Sequence, residues 1–543
     1  MRQGLLSILF ACRRRSGTGN LVVRTADLKA NTIRGGFARL GAQGANFLVR
    51  VGSLTVLARL LSPKDFGLIG MVTAFTGVLM LFRDFGLSAA VVQRTTVSEE
   101  QLSTLFWINM MVGALLGLVT LAMAPAIAAF YHEPRLFAVT VVLAAAFVFN
   151  AAGIQHAAIL QRRMHFSSLA MIHVVSLTAA AAIGIGLAMA GCGYWAIVAM
   201  AITAPLAGTI GLWVAAGWLP GMPRVRIGIR SMMRFGGMLT LNGIIAYVAC
   251  NADKVLIGRF WGVDAIGLYG RAYQLVNIST ENLNWTVGEV AFSALSRLQD
   301  DPVRLRSYFL KGFALVLGLT LPITIAFGLF ADDIIFVVLG PQWKDAATIV
   351  RLLAPAIVIF AIINPLGWLL CAIGRLQRCL KIALVFAPLM LTGYALGLPY
   401  GPIGVAFAYS AVMTLSVVPH VVWSVHATPI SFADILLTGS RPLASGIIAG
   451  ACAFGIRLFC APLLSPALTL ALESGVLFTV FVGTLFIGAG QRSLYLDLLR
   501  GLTNRPAACR LDTGGTASEC IMRTASGQEP VRVRLAKLHC PPR

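Results

Sequence analysis

The chain has 543 residues, 58% of them hydrophobic and 12% charged, and its mean hydropathy is +0.83. Soluble globular proteins carry about twice that charged fraction, so a water-soluble fold, a disordered chain and a secreted disulfide scaffold are all excluded for the whole. The 43 Lys+Arg outnumber the 21 Asp+Glu by 22, but there is too little polar surface for a nucleic-acid binder, and the excess reads as a membrane-topology signal.

Residues 1–33 form a leading segment. Its short apolar run (5–11) precedes the arginines at 13–15, the reverse of the order in a signal peptide. Beyond it, runs of about 20 apolar residues, the length that crosses a bilayer, recur fourteen times. They cover 38–61, 66–90, 103–130, 135–160, 167–190, 193–217, 234–258, 265–293, 308–330, 346–373, 379–398, 402–424, 441–460 and 466–488. The first, seventh and eighth are the least hydrophobic. The loops are too short for a soluble domain. The predicted architecture is an all-α integral membrane protein with about 14 transmembrane helices. A six-helix N-lobe occupies 34–218, a six-helix C-lobe 219–424, and two added spans 425–490. The tail, 491–543, is basic and patternless and reads as a disordered cytoplasmic end.

Orientation follows from the loops. With the chain start placed in the cytoplasm, fifteen basic residues fall on the inner side, among them Arg162, Arg163, Arg224, Arg226, Arg304, Arg306, Arg375 and Arg378. Five fall outside: Arg59, Lys64, Arg135, Arg259 and Lys344. The bias places both termini in the cytoplasm.

A shift of 200 positions brings two segments into register. Arg59-Leu-Leu-Ser-Pro-Lys-Asp-Phe-Gly-Leu-Ile-Gly70 aligns with Arg259-Phe-Trp-Gly-Val-Asp-Ala-Ile-Gly-Leu-Tyr-Gly270, and Arg34 and Gly36 align with Arg234 and Gly236. The shift pairs span 1 with span 7 and span 2 with span 8. An even number of spans separates the copies, so both enter the membrane in the same direction. Two parallel lobes related by an axis along the membrane normal are predicted, with a substrate site between them.

Ionisable and polar groups at membrane depth are costly and point to function. In span 1, Gln43, Asn46, Arg50 and Ser53 share a face. In span 7, Asn242 and Asp253 share one; in span 8, Gln274, Asn277, Glu281 and Asn284 form a stripe with Arg271 at its edge. Arg271 apart, these ten residues are the candidate lining of a polar cavity. Arg50 lies near the bilayer middle, where an arginine costs roughly 2.5–3.5 kcal/mol. Two kinds of partner fit it: a substrate phosphate bound in bidentate fashion, or an internal carboxylate such as Asp253, Glu281 or Asp84. Asp253 and Glu281 are also candidate coupling-ion or proton sites, with pairing to Lys254 or Arg271 as the alternative. Arg83 and Asp84 read as a local ion pair. Asn150, Gln155 and His156 of span 4 are possible additions to the cavity, the histidine equally a helix–helix hydrogen bonder. The ten cysteines are scattered without metal or disulfide spacing. No metal or cofactor site is predicted, and no catalytic residues.

Several blocks in order resemble a known family. They are Ala58-Arg-Leu-Leu-Ser-Pro-Lys-Asp-Phe-Gly67, Asp84-Phe-Gly-Leu-Ser88 with Val92-Gln93, Asn251-Ala-Asp-Lys-Val-Leu-Ile-Gly-Arg-Phe260, Gly267-Leu-Tyr-Gly-Arg-Ala-Tyr273, Ala294-Leu-Ser-Arg-Leu-Gln-Asp300 and Leu339-Gly-Pro-Gln-Trp-Lys344. They are similar to the polysaccharide-transporter (O-unit flippase) branch of the multidrug/oligosaccharidyl-lipid/polysaccharide (MOP) superfamily, the colanic-acid and xanthan exporters in particular. The resemblance spans about 34–490. It implies a flippase that carries undecaprenyl-pyrophosphate-linked oligosaccharide repeat units across an inner membrane, for exopolysaccharide or lipopolysaccharide synthesis, by alternating access. It also implies a cationic N-lobe cavity to which Arg50 and Arg39 fit, a proton or sodium gradient as driver, and membrane lipid, a polysaccharide polymerase and chain-length proteins as partners, with no role for nucleic acid. A multidrug/cation antiporter of the same superfamily is the alternative, although it calls for an acidic cavity. A membrane-embedded glycan polymerase or ligase is third, and it lacks the large outer loop and the nucleophile–base pair that such chemistry needs.

Overall fold

The computed structural model describes residues 25–83, 98–223, 230–460 and 465–488, and two short strands in the tail. Asp84 lies outside the described residues, as do the side chains of Arg39, Asn242, Glu281 and Asn284.

Each predicted span that falls in these residues is a helix. Spans 1 to 6 are Thr25–Leu60, Pro63–Met80, Glu99–Tyr131, Arg135–Arg162, Phe166–Met189 and Trp195–Ala216. Spans 7 and 8 run on as Arg230–Arg297 but break at Gly262, whose φ of 80° and ψ of −168° suit only glycine. Span 7 is therefore 230–261 and span 8 is 263–297. Spans 9 to 14 are Pro302–Leu329, Ala346–Ala372, Leu376–Gly397, Gly401–Val425, Phe432–Cys460 and Pro466–Gly483. Local chemistry fixes several starts. Ser62 precedes Pro63 and pairs with Asp65 in a capping box, and Ser98 does the same with Gln101. Among the described residues, nine stretches are long and apolar enough to cross a bilayer, spans 11 and 12 counting as one. Spans 1, 2, 7 and 8 are not among them. The first, seventh and eighth carry the polar stripes, and packing rather than hydropathy holds them in place.

Two elements differ from expectation. The loop between spans 9 and 10 contains an amphipathic helix, Ala331–Val338, too short for a span-length search. In the tail expected to lack structure, Glu519–Met522 pairs antiparallel with Val531–Arg534, Glu519 opposite Arg534.

The helix contacts repeat. In the N-lobe span 1 packs on span 5, 3 on 4, 4 on 6 and 5 on 6. In the C-lobe the helix that contains span 7 packs on span 11, 9 on 10, 10 on 12 and 11 on 12. Each pair recurs six spans later, as a duplicated lobe requires. Spans 13 and 14 pack on each other and reach the C-lobe through span 9.

The lobes meet where spans 2 and 8 begin. A Cβ on Gly67 would collide with the carbonyl of Val263, and one on Gly267 with the carbonyl of Pro63. The two glycines are repeat-equivalent, and so are Pro63 and Val263. Lys64 and Asp264, also equivalent, form an ion pair at 3.7 Å. The segment 340–344 closes the same end. Trp343 is fully buried, stacks edge-on against Phe66 at 5.5 Å, and donates its indole N–H to the Ala58 carbonyl at 2.8 Å. Gln342 donates to the carbonyls of Ala58 and Leu61. Both partners are the otherwise unsatisfied carbonyls at the end of span 1. Arg59 reaches across to the Val337 carbonyl at 2.6 Å.

Candidate functional site

The polar face of span 1 changes character along its length. Toward the sealed end Ser53, Leu54, Leu57, Ala58 and Leu61 are buried in a core shared with Ile257, Ile266, Tyr269 and Trp343 of the C-lobe. One turn further from the seal Arg50 is exposed, while Asn46 and Gln43 are half-buried. All these residues lie within one face of the helix. The outer part of that face packs at the junction of the lobes, and inward of it Arg50 is exposed.

Around Arg50 the environment is polar but not acidic. The Asn46 side-chain oxygen lies 3.1 Å from Nδ1 of His173 on span 5. Ser53 donates to the carbonyl of Arg50, 3.1 Å away, so its hydroxyl serves its own helix. Among the described residues Arg50 makes no ion pair or hydrogen bond through its guanidinium. An arginine left open on a helix face at this depth presents five donors to an anion, and two parallel donors match a phosphate edge.

The equivalent face of span 7 is built in the opposite way. Asp253 aligns with Ser53 and is fully buried. Its Oδ2 accepts from the Tyr269 hydroxyl at 2.6 Å and its Oδ1 from the Lys254 amide at 2.8 Å. The Lys254 ammonium donates to Asn251 at 2.7 Å and lies 4.1 Å from the centre of the Tyr273 ring, a cation–π contact. Tyr394 donates to the Ala249 carbonyl at 3.1 Å and stacks on Tyr409 at 6.1 Å. Spans 7, 8, 11 and 12 thus converge on one buried carboxylate. Neither alternative foreseen for it is present as an ion pair among the described residues: the bond to Lys254 is made by its amide.

Gln274 is exposed and accepts from Arg271, whose guanidinium stacks 3.9 Å from the centre of the Phe66 ring in the other lobe. Asn277 is half-buried. The span 4 residues sit inside the N-lobe. Gln155 and His156 are fully buried, and His156 stacks on Trp213 at 4.6 Å with Nε2 3.2 Å from the Trp218 carbonyl. Arg83 donates to Asn150 at 3.1 Å. His156 and Asn150 join helices of the N-lobe, and the Gln155 amide is buried with no partner on either polar atom. Sequence reasoning named Lys254 as a partner of Asp253 but missed Tyr269, Tyr273, Tyr394, Tyr409 and His173. Tyr269 and Tyr273 stand four residues apart in a block already noted, and that spacing was the available signal. His173, Tyr394 and Tyr409 offered none. Among the described residues no cluster of His, Cys, Asp and Glu could hold a metal.

Three comparisons bear on this arrangement. A family model described as polysaccharide biosynthesis protein matches residues 56–348. The lipopolysaccharide biosynthesis protein WzxC of Escherichia coli (strain K12) is 25% identical over 403 residues, covering 72% of this chain and 80% of its own. Among solved structures, the lipid II flippase MurJ in an inward closed conformation superposes with a TM-score of 0.67 at 14% identity, covering 86% of this chain and all of its own. An inward-facing multidrug resistance MATE transporter of the MOP superfamily gives 0.58 at 15% identity, over 72% of this chain and 97% of its own. The fold is the one these transporters share, and with a family match over more than half of its length the chain belongs to the polysaccharide biosynthesis protein family.

Proposed function

We propose that the chain flips undecaprenyl-pyrophosphate-linked oligosaccharide repeat units from the cytoplasmic to the periplasmic leaflet of a bacterial inner membrane, for exopolysaccharide or lipopolysaccharide synthesis. No covalent bond changes in this reading, so the protein is a transporter and not an enzyme. The observation that carries it is the span 1 face: buried from Ser53 outward and, from Arg50 inward, carrying an exposed arginine with no partner among the described residues. The excess of basic loop residues on the Arg50 side supports placing that side, with both termini, in the cytoplasm. The sealed end is then periplasmic. Arg50 receives the pyrophosphate as it enters, while Asn46, Gln43 and Gln274 provide hydrogen-bonding groups for the glycan. The lipid chain stays in the bilayer. Release requires the contacts of Gly67, Gly267 and Trp343 to part. Glu281 and the buried Asp253 are the C-lobe groups whose charge can change with the cycle, and they serve as the coupling site. The polymerase and the chain-length proteins take the product on the far side.

The test is a deletion strain. It should accumulate lipid-linked repeat units on the cytoplasmic leaflet and stop exporting polymer. The wild-type chain should restore export, and Arg50→Ala, present in the membrane at normal level, should not. Normal export by that variant removes Arg50 from the site. Resistance to cationic drugs in a sensitised strain, without any effect on polymer, would instead make the chain a multidrug antiporter.

A further inference from the structure

Spans 13 and 14 stand outside both lobes, and the proposed cleft makes no use of them. Yet among the described residues they hold the buried carboxylate that has no hydrogen-bond partner on either oxygen, Glu473 of span 14. The segment 461–464, Ala-Pro-Leu-Leu, has no polar side chain to offer it. An ionised carboxylate cannot be held so without a counter-charge, so in this arrangement Glu473 carries its proton.

The nearest cation is engaged elsewhere. A Cβ on Gly446 of span 13 would lie 3.9 Å from the Phe481 ring, which sets the antiparallel register of spans 13 and 14. In that register Arg457 lies about one turn nearer the sealed end than Glu473. Its guanidinium forms no ion pair with Glu473 among the described residues. It donates to the Leu329 carbonyl at the end of span 9 at 2.5 Å and pairs with Asp333 at 3.2 Å and Asp332 at 3.8 Å. Both aspartates open the short helix Ala331–Val338, and Arg351 of span 10 pairs with Asp332 at 2.5 Å. That helix leads into Gly340 and Trp343, which cover the end of span 1. A continuous path therefore joins the added hairpin to the seal.

We propose that Glu473 is a proton-binding site and the second seat of Arg457. With Glu473 protonated, Arg457 stays on Asp333 and clamps the short helix. When Glu473 gives its proton to water at the sealed end, the guanidinium moves to the new carboxylate, and Asp333, 19% exposed at its side chain, is left to solvent. The charged and titratable groups that face this exchange are Arg457 from span 13, Asp332 and Asp333 from the short helix, Arg351 from span 10 and Lys344 from the loop beyond. Span 9 contributes the Leu329 carbonyl. Acid on the sealed side thus holds the clamp, and alkali loosens it. The inference takes the sealed end as the gate of the proposed flippase, but its test needs no transport.

Amide hydrogen exchange of the helix 331–338 in the full chain, reconstituted in lipid nanodiscs, reads the clamp once each rate is divided by the intrinsic rate at that pH. Protection of the wild type should fall about fivefold from acid to alkaline pH, the scale of one partly exposed ion pair. Glu473→Gln should keep the acid level throughout, and Asp333→Asn should lack it throughout. The infrared band of a protonated carboxyl in the wild type should vanish over the same pH range, a readout that needs no variant. A Glu473→Gln profile identical to the wild type, or a wild-type protection that ignores pH, overturns the proposal.

Discussion

The two lobes share a packing scheme and differ in what they do with charge. Position 50 of the first lobe is an exposed arginine, and its equivalent in the second is Cys250. Position 53 is a serine bonded to its own helix, and its equivalent is the buried Asp253. Ile69 and Thr73 correspond to Tyr269 and Tyr273, the hydroxyl and the ring that hold the acid and its neighbouring ammonium. One lobe leaves its arginine exposed, and the other encloses its carboxylate among tyrosines. Duplication conserves the backbone contacts, because glycine and helix geometry dictate them. It leaves the polar groups free to diverge, because few neighbours depend on them.

The comparison can be broken most decisively at position 50. Arg50→Ala should abolish flipping, measured as lipid-linked repeat units left on the cytoplasmic leaflet, while Cys250→Ala at the equivalent position should leave it near normal. Equal losses would mean that the lobes do not divide the work. Next in size is Asp253→Ala, which strands the Tyr269 hydroxyl and the Lys254 amide in a dry interior and should cost about 3 kcal/mol of stability. Ser53→Ala should cost less than about 1 kcal/mol, since a serine bonded to its own helix gains little from that bond. Thermal unfolding in detergent distinguishes the two.

Gly67→Ala and Gly267→Ala test what the lobes have in common. Each added methyl meets a carbonyl of the other lobe, so each should destabilise by about 2 kcal/mol and by nearly the same amount. A large inequality would break the symmetry of the contact. The smallest effect is on the loop between spans 3 and 4. The hydrogen bond from Arg135 holds the Glu133 carboxyl below its usual range, with their mutual attraction adding to this. A lowered value in the folded chain stabilises at pH above the ordinary glutamate range, and the gain is lost as pH falls through the lowered value. Glu133→Gln should remove that small acid dependence from the unfolding midpoint, lowering the neutral value slightly and leaving the acid value nearly unchanged.

The fold was legible because its information is local and periodic. Twenty-residue apolar runs gave the spans, and even the polar ones were found from their positions between loops. The offset of 200 gave the lobes, since it rests on glycines that the junction of spans 2 and 8 cannot replace. The helix 331–338 was hidden by its length. At the site, the stripe of span 1 was readable because one helix carries all of it. The surroundings of Asp253 were not. They draw Tyr394 and Tyr409 from spans 11 and 12, and no spacing within a span announces a neighbour more than a hundred residues away. For the same reason the sequence could not distinguish a lining residue from a buried one: Ser53 and Arg50 share a face, and only the height of the seal separates them.

The contact between residues 63–67 and 263–267 has a further consequence. Each side presents the same patch to the other, which is how the two subunits of a symmetric dimer touch. The chain therefore contains, within one polypeptide, an interface of the isologous kind. Cut within the connection between spans 6 and 7, its two pieces should still recognise each other when made separately in one cell.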